Sequence, residues 1–187
     1  MEHKEHPNED PSELITDKHF EAWGRIVWAY AQMESGIKLS MAGILDMLLH
    51  EMIILTNPHS ASQLKSVAKS IAKLKLSESD AEEFSQILGD WSASSRIRNH
   101  ISHNRWTFGN RPTSLTPSFI DTHSGKAKFK GASEADEDFT LEDFGGIADK
   151  LFRSNVRLVE FMARTGLTKK TELRLQAEKT RQDGETT

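Results

Sequence analysis

The sequence contains no cysteine, which removes disulfides, thiolate zinc sites, iron–sulfur clusters and cysteine nucleophiles from its chemistry. It also lacks an apolar run long enough to cross a bilayer. The most apolar stretch, Met41 to Leu55, is interrupted by Asp46, His50 and Glu51, so no membrane partner is expected. Met1 to Asp17 has no apolar core and reads as neither a signal peptide nor a transit sequence. A cytoplasmic location, where a chain without disulfides loses nothing, is the expectation. No internal repeat and no low-complexity tract is visible. A general excess of basic charge is missing too, the formal net charge being -4, which speaks against a uniformly basic nucleic-acid binder.

What is present is distributed unevenly. The length of 187 residues suits one domain with polar ends. We expect a disordered acidic tail over 1–17, a helical domain over 18–166 and a polar, partly helical tail over 167–187. Six acids and one lysine fall within Met1 to Asp17, and six acids within Glu134 to Asp143. Two other segments hold bases and no acids: Gln63 to Leu76 with Lys65, Lys69, Lys73 and Lys75, and Ser92 to Pro112 with Arg96, Arg98, Arg105 and Arg111.

Apolar residues recur at steps of three and four from Lys18 to Leu55, through Phe20, Trp23, Val27, Tyr30, Ile37, Met41, Ile44, Leu48 and Met52, predicting a long helix that Gly24, Gly36 or Gly43 bends or divides and Asn57-Pro58 ends. A second helix is predicted from Ser60 to Leu76. A third is expected from the capping residues Ser77 to Asp80 as far as His103, carrying Phe84, Ile87, Leu88, Trp91 and Ile97. The punctuation from Trp106 to Gly131 predicts an irregular excursion with two short strands turning at Asp121 to Lys126. Thr140 to Asp143 resembles a capping box with Asp in the usual Glu position. The helix it opens runs to Arg164 and stops at Thr165-Gly166. The expected fold is therefore an all-α bundle of four to five helices, with a loop or small β-hairpin inserted between the third and fourth main helices.

Within the second acid-free segment lies Arg98-Asn99-His100-Ile101-Ser102-His103. On a 3.6-residue helix Arg98 shares the stripe of Phe84, Ile87 and Trp91 and projects toward the bundle interior or a cleft in it, where a guanidinium needs a carboxylate or an anion. Glu34, the lone charge on the inner stripe of the first helix, is the expected partner. Such a pair either locks the bundle or aims the guanidinium at a phosphate, for which its planar fork is suited. Asn99 and His103 are i, i+4, so the amide is placed to orient the imidazole. Histidine both accepts and donates protons near neutrality, although a lone histidine at a helix end is more often a cap or surface group. His100 and His103 at i, i+3 give only a weak metal signal, since no Glu-x-x-His pair accompanies them, and no metal or other cofactor is expected. Arg96, Arg105, Lys65, Lys69 and Lys73 are candidates to track a phosphate backbone, against the plainer reading of solvated helix faces.

Arg98-Asn99 followed by His103 resembles the Arg-x4-6-His motif of the HEPN (higher eukaryotes and prokaryotes nucleotide-binding) superfamily. Trp106 shortly after the histidine, and Trp23, Trp28 and Glu34 on the first helix, are similar to features of bacterial members. The resemblance spans Lys18 to Arg164. It implies a helical bundle and a metal-independent endoribonuclease site completed across a homodimer. There His103 handles the proton of the ribose 2′-hydroxyl or of the leaving 5′-oxygen, Arg98 stabilises charge on phosphorus and Asn99 orients either, with Glu34 and His100 in support. It further implies RNA as the substrate, products with 2′,3′-cyclic phosphate and 5′-hydroxyl ends, and a toxin or phage-defence role in which an antitoxin protein is a partner. Many members of the superfamily are instead non-catalytic RNA- or protein-binding modules, and that is the alternative reading here.

Overall fold

The computed structural model describes residues 15–121, 128–130 and 138–185. Most of the expected acidic N-terminal tail, the turn after Asp121 and the acids at 134, 136 and 137 lie outside these residues. Helix α1 (Asp17–Leu45) buries Trp23, Ile26, Tyr30, Met33, Ile37 and Met41, a path of threes and fours. Phe20 and Val27, expected on the inner stripe, are 61% and 36% exposed. Two stripes compete on this helix, and the one through Ile26 and Met33 is inside.

The single helix expected to Leu55 is two helices. Asp46 adopts a left-handed conformation at φ 55°, and Met47 N–H donates to Ala42 O at 2.9 Å, the closing bond of a Schellman C-cap. Helix α2 (Leu49–Thr56) then leaves at 116°. The suspected glycines lie inside α1 instead. A Cβ at Gly36 would meet Leu158 Cδ2 at 2.8 Å, and one at Gly43 would meet Leu167 at 3.2 Å, so both serve close packing.

Capping signals act where the sequence places them. Before α3 (Ala61–Lys75), Gln63 N–H donates to Ser60 Oγ at 3.3 Å and Ser60 N–H to Gln63 Oε1 at 2.8 Å. Before α4 (Glu78–Ala93), Ser77 Oγ accepts from Asp80 N–H at 3.2 Å. The third predicted helix breaks at Ser94, and α5 (Ser95–His103) follows. Three strands come next, β1 (Arg105–Phe108), β2 (Leu115–Asp121) and β3 (Lys128–Lys130). They form an antiparallel sheet in the order β1-β2-β3, with Trp106 opposite Pro117 and Asp121 opposite Lys128.

Thr140 and Asp143 make the reciprocal box before α6 (Leu141–Arg164): Thr140 N–H donates to Asp143 Oδ2 at 2.8 Å, and Asp143 N–H to Thr140 Oγ1 at 3.2 Å. Gly166, at φ 71°, separates α6 from α7 (Leu167–Glu185). The polar C-terminal segment is thus helical as far as Glu185, and Leu167 and Thr171 are buried.

Two units emerge: the described residues of Met1–Trp28 with Arg96–Asp149, and Ala29–Ser95 with Lys150–Thr187. The second is a helical bundle. Tyr30 stacks on Trp91 at 5.2 Å and Phe84 on Phe161 at 5.3 Å, all four fully buried or nearly so. Asp90 gathers Lys150 at 3.1 Å, Arg157 at 3.5 Å and Ser154 Oγ at 3.4 Å. The first unit combines the ends of three helices with the sheet. The chain is all-α with a small β insertion between α5 and α6. Among the described residues, no single helix is long and apolar enough to cross a membrane.

Candidate functional site

The break before α5 decides how the motif is presented. Ser94 sits at φ -87°, ψ -2°, its N–H donates to Trp91 O at 3.1 Å, and Ser95 Oγ donates to Ser92 O at 2.8 Å. This tighter turn advances the buried line by threes, through Trp91, Ser94, Ile97 and His100. The inward place therefore goes to His100, 8% exposed. Arg98 is half-buried beside this line, while Asn99, Ser102 and His103 are exposed. At about 100° per residue, Arg96, Asn99 and His103 share a face about 60° wide, and Arg98 lies roughly 140° around from His103.

One polar contact in this segment is not suggested by the Arg/His pattern. Asn104 Nδ2 donates to His100 Nδ1 at 2.7 Å, and Asn104 N–H to His100 O at 3.0 Å. Among the described residues, no hydrogen bond joins Asn99 to His103. Both pairs have i, i+4 spacing, and after the tightened turn at Ser94 it is His100, not Asn99, that lies on the buried line. Two residues on, Trp106 is 9% exposed, stacks on Trp23 at 5.2 Å with 24° between planes, and meets Phe144 edge-on at 5.5 Å. His19, Phe139 and Phe144 complete this cluster. The exposed end of α5 is thus held between buried Ile97 and His100 on one side and the aromatic cluster on the other.

The charges sort themselves less simply than the sequence suggests. Arg111 is taken up by a loop clamp: its guanidinium binds Asp143 Oδ2 at 2.5 Å and the Asp138 carbonyl oxygen. Asp138 Oδ2 also accepts from Asn110 and Arg111 N–H at 3.0 and 2.8 Å. Asp143 is held below the usual carboxylate range, first by the Thr140 N–H and then by Arg111 and the Thr140 hydroxyl. Any Cβ at Gly109 would collide with Asp138 and Ser114, so the clamp needs glycine there. Arg96 and Arg105 are exposed. Lys65 donates to Ser92 Oγ at 2.7 Å. Lys69 and Lys73 line a depression of 740 Å³ together with Glu78 and Glu82. The depression is therefore of mixed charge, lysines from α3 facing glutamates from α4.

Glu34 belongs to the second unit and Arg98 to the first. The Glu34 carboxylate accepts from Lys38, one turn on, at 2.8 Å. Among the described residues, no group of three or more His, Asp and Glu side chains converges as metal ligands. Sequence reasoning missed the His100–Asn104 bond and the aromatic cluster. The paired serines at Ser94-Ser95 were the available sign of a break. No family model, curated protein or solved structure matches the chain.

Proposed function

We propose that the chain is a metal-independent endoribonuclease of HEPN type, acting as a homodimer in a toxin or phage-defence setting. The observation that supports this most is the presentation of Asn99 and His103 to solvent at the end of a helix whose inner side is fixed by His100 and Ile97, with Arg98 half-buried farther around the same helix. A composite site formed by two protomers requires its acid–base groups on the surface, and rigid backing is what positions them.

In this reading His103 takes the proton of the ribose 2′-hydroxyl as that oxygen attacks phosphorus. The imidazolium of the second motif returns a proton to the departing 5′-oxygen. Arg98 stabilises the added negative charge on the phosphorane, and Asn99 hydrogen-bonds the substrate or the imidazole. The absence of acids from Ser92 to Pro112 favours the approach of a phosphate, and exposed Arg96 and Arg105 extend that surface.

Purified protein is incubated with single-stranded and structured RNA in EDTA, beside Arg98→Ala and His103→Ala. Cleavage by the wild type alone, leaving cyclic phosphate ends, is the expected result; equal cleavage by all three, or none by any, removes the proposal. The mixed charge around Lys69 and Lys73 favours a second reading, a non-catalytic module with a local binding patch. Such a module binds RNA or protein at that patch without cutting, and replacing Lys69 and Lys73 lowers its affinity while Arg98→Ala and His103→Ala leave it unchanged.

A further inference from the structure

The outer face of α6 carries Phe152, Val156 and Val159 at 52%, 43% and 61% exposure, with Ala163 exposed on the same line. Their spacing of four, three and four is that of a helix-pairing seam. It also reads the same in both directions. A second α6 laid antiparallel therefore meets this one layer by layer, Phe152 over Ala163 and Val156 over Val159, then the same two layers inverted by the two-fold axis. The large ring faces the smallest side chain, and the two central layers match in size.

The edge of the seam is self-complementary in charge. Arg153 and Glu160 are both exposed, seven residues apart on one side of the stripe. In the antiparallel pair, Arg153 of each copy lies beside Glu160 of the other. A parallel pair sets Phe152 on Phe152 and brings no opposite charges together at these positions. We infer that this face of α6 binds a second copy of the same chain in antiparallel, two-fold fashion. The inference concerns α6 alone and stands apart from the ribonuclease reading, because a non-catalytic chain would use the same seam.

Four layers make a small interface, roughly 1,200 Å² or less, so association with Kd on the order of micromolar is expected. Sedimentation velocity on the full chain from low to high micromolar concentration reads it directly. Val156→Asp, an exposed substitution whose folding is checked by circular dichroism, is expected to weaken dimerisation at least tenfold. Arg153→Glu and Glu160→Arg should each weaken it, and the double exchange should restore it.

Since the chain has no cysteine, orientation is testable by oxidising a mixture of Val156→Cys and Val159→Cys proteins. An antiparallel seam gives mainly the mixed disulfide, whereas a parallel one gives the two like pairs. A monomer at every concentration, a dimer indifferent to Val156→Asp, or like-paired disulfides would each overturn the inference. A dimer that dissociates on His103→Ala instead, with cleavage lost, would overturn it while leaving the ribonuclease proposal intact.

Discussion

His100 and His103 lie three residues apart on one helix and meet opposite environments. Replacing His100 by alanine deletes a buried ring and leaves the Asn104 amide without its acceptor, at a cost of about 1–3 kcal/mol. His103→Ala, at an exposed position, should stay within about 0.5 kcal/mol of wild type. Urea unfolding of the two variants checks this, and equal losses would contradict the geometry. His19 offers a second test. It is 5% exposed, its Nδ1 accepts from Thr16 N–H at 3.2 Å, and burial lowers its pKa. The folded state therefore binds this proton less readily than the unfolded chain. The stabilisation is complete above the ordinary histidine value of about 6.5 and is lost as pH falls below it, by at most about 1.4 kcal/mol per pH unit. Denaturant midpoints at pH 7.5, 6.0 and 5.0 should show that slope, and His19→Asn, which keeps an acceptor for Thr16, should flatten it. That the motif region contains a buried histidine was not legible from residue types, since Arg98, Asn99, His100 and His103 all sit at plausible inner positions until the helix register is known.

At the level of elements, starts were easier to read than breaks. Ser60, Ser77 and Thr140 cap through local hydrogen bonds that depend only on neighbours in sequence, so their meaning survives without tertiary context. The break at Asp46 depends on a left-handed residue that is not glycine, and the one at Ser94 on a single tightened turn; neither carries a proline or glycine to announce it. Asp46→Gly should therefore be neutral or stabilising by about 0.5–1 kcal/mol, because glycine adopts that conformation without steric cost, whereas Asp46→Val should destabilise by about 1–2 kcal/mol. Thermal melts of the two variants decide the matter. The sheet was only half visible because β1 pairs with β2 across the Gly109 to Ser114 loop, and that loop is held by Asp138 from far along the chain.

For the whole molecule, the segment after Gly166 is the clearest instance of composition misleading. Its polarity predicts only a partly helical tail, yet the helix continues to Glu185, Leu167 is buried against the space that Gly43 leaves open, and Arg174 reaches Asp46 at 3.2 Å. A chain ending at Gly166 should lose about 1.5–3 kcal/mol from exposing that leucine's pocket, while one ending at Leu175 should keep nearly full stability. Chemical denaturation of both truncations measures the difference. The all-α architecture and its β insertion were readable because they rest on hydrophobic period and punctuation. The division into two units was not, since α1 and α6 each run through both without a change in pattern.

The near-parallel stack of Trp23 on Trp106 has an optical consequence. Two indoles at 5.2 Å couple their electronic transitions, so the far-ultraviolet dichroism should contain an exciton couplet that vanishes in Trp23→Phe. Because Trp106 follows His103 by three residues, the couplet is a built-in, label-free reporter of motion in the motif.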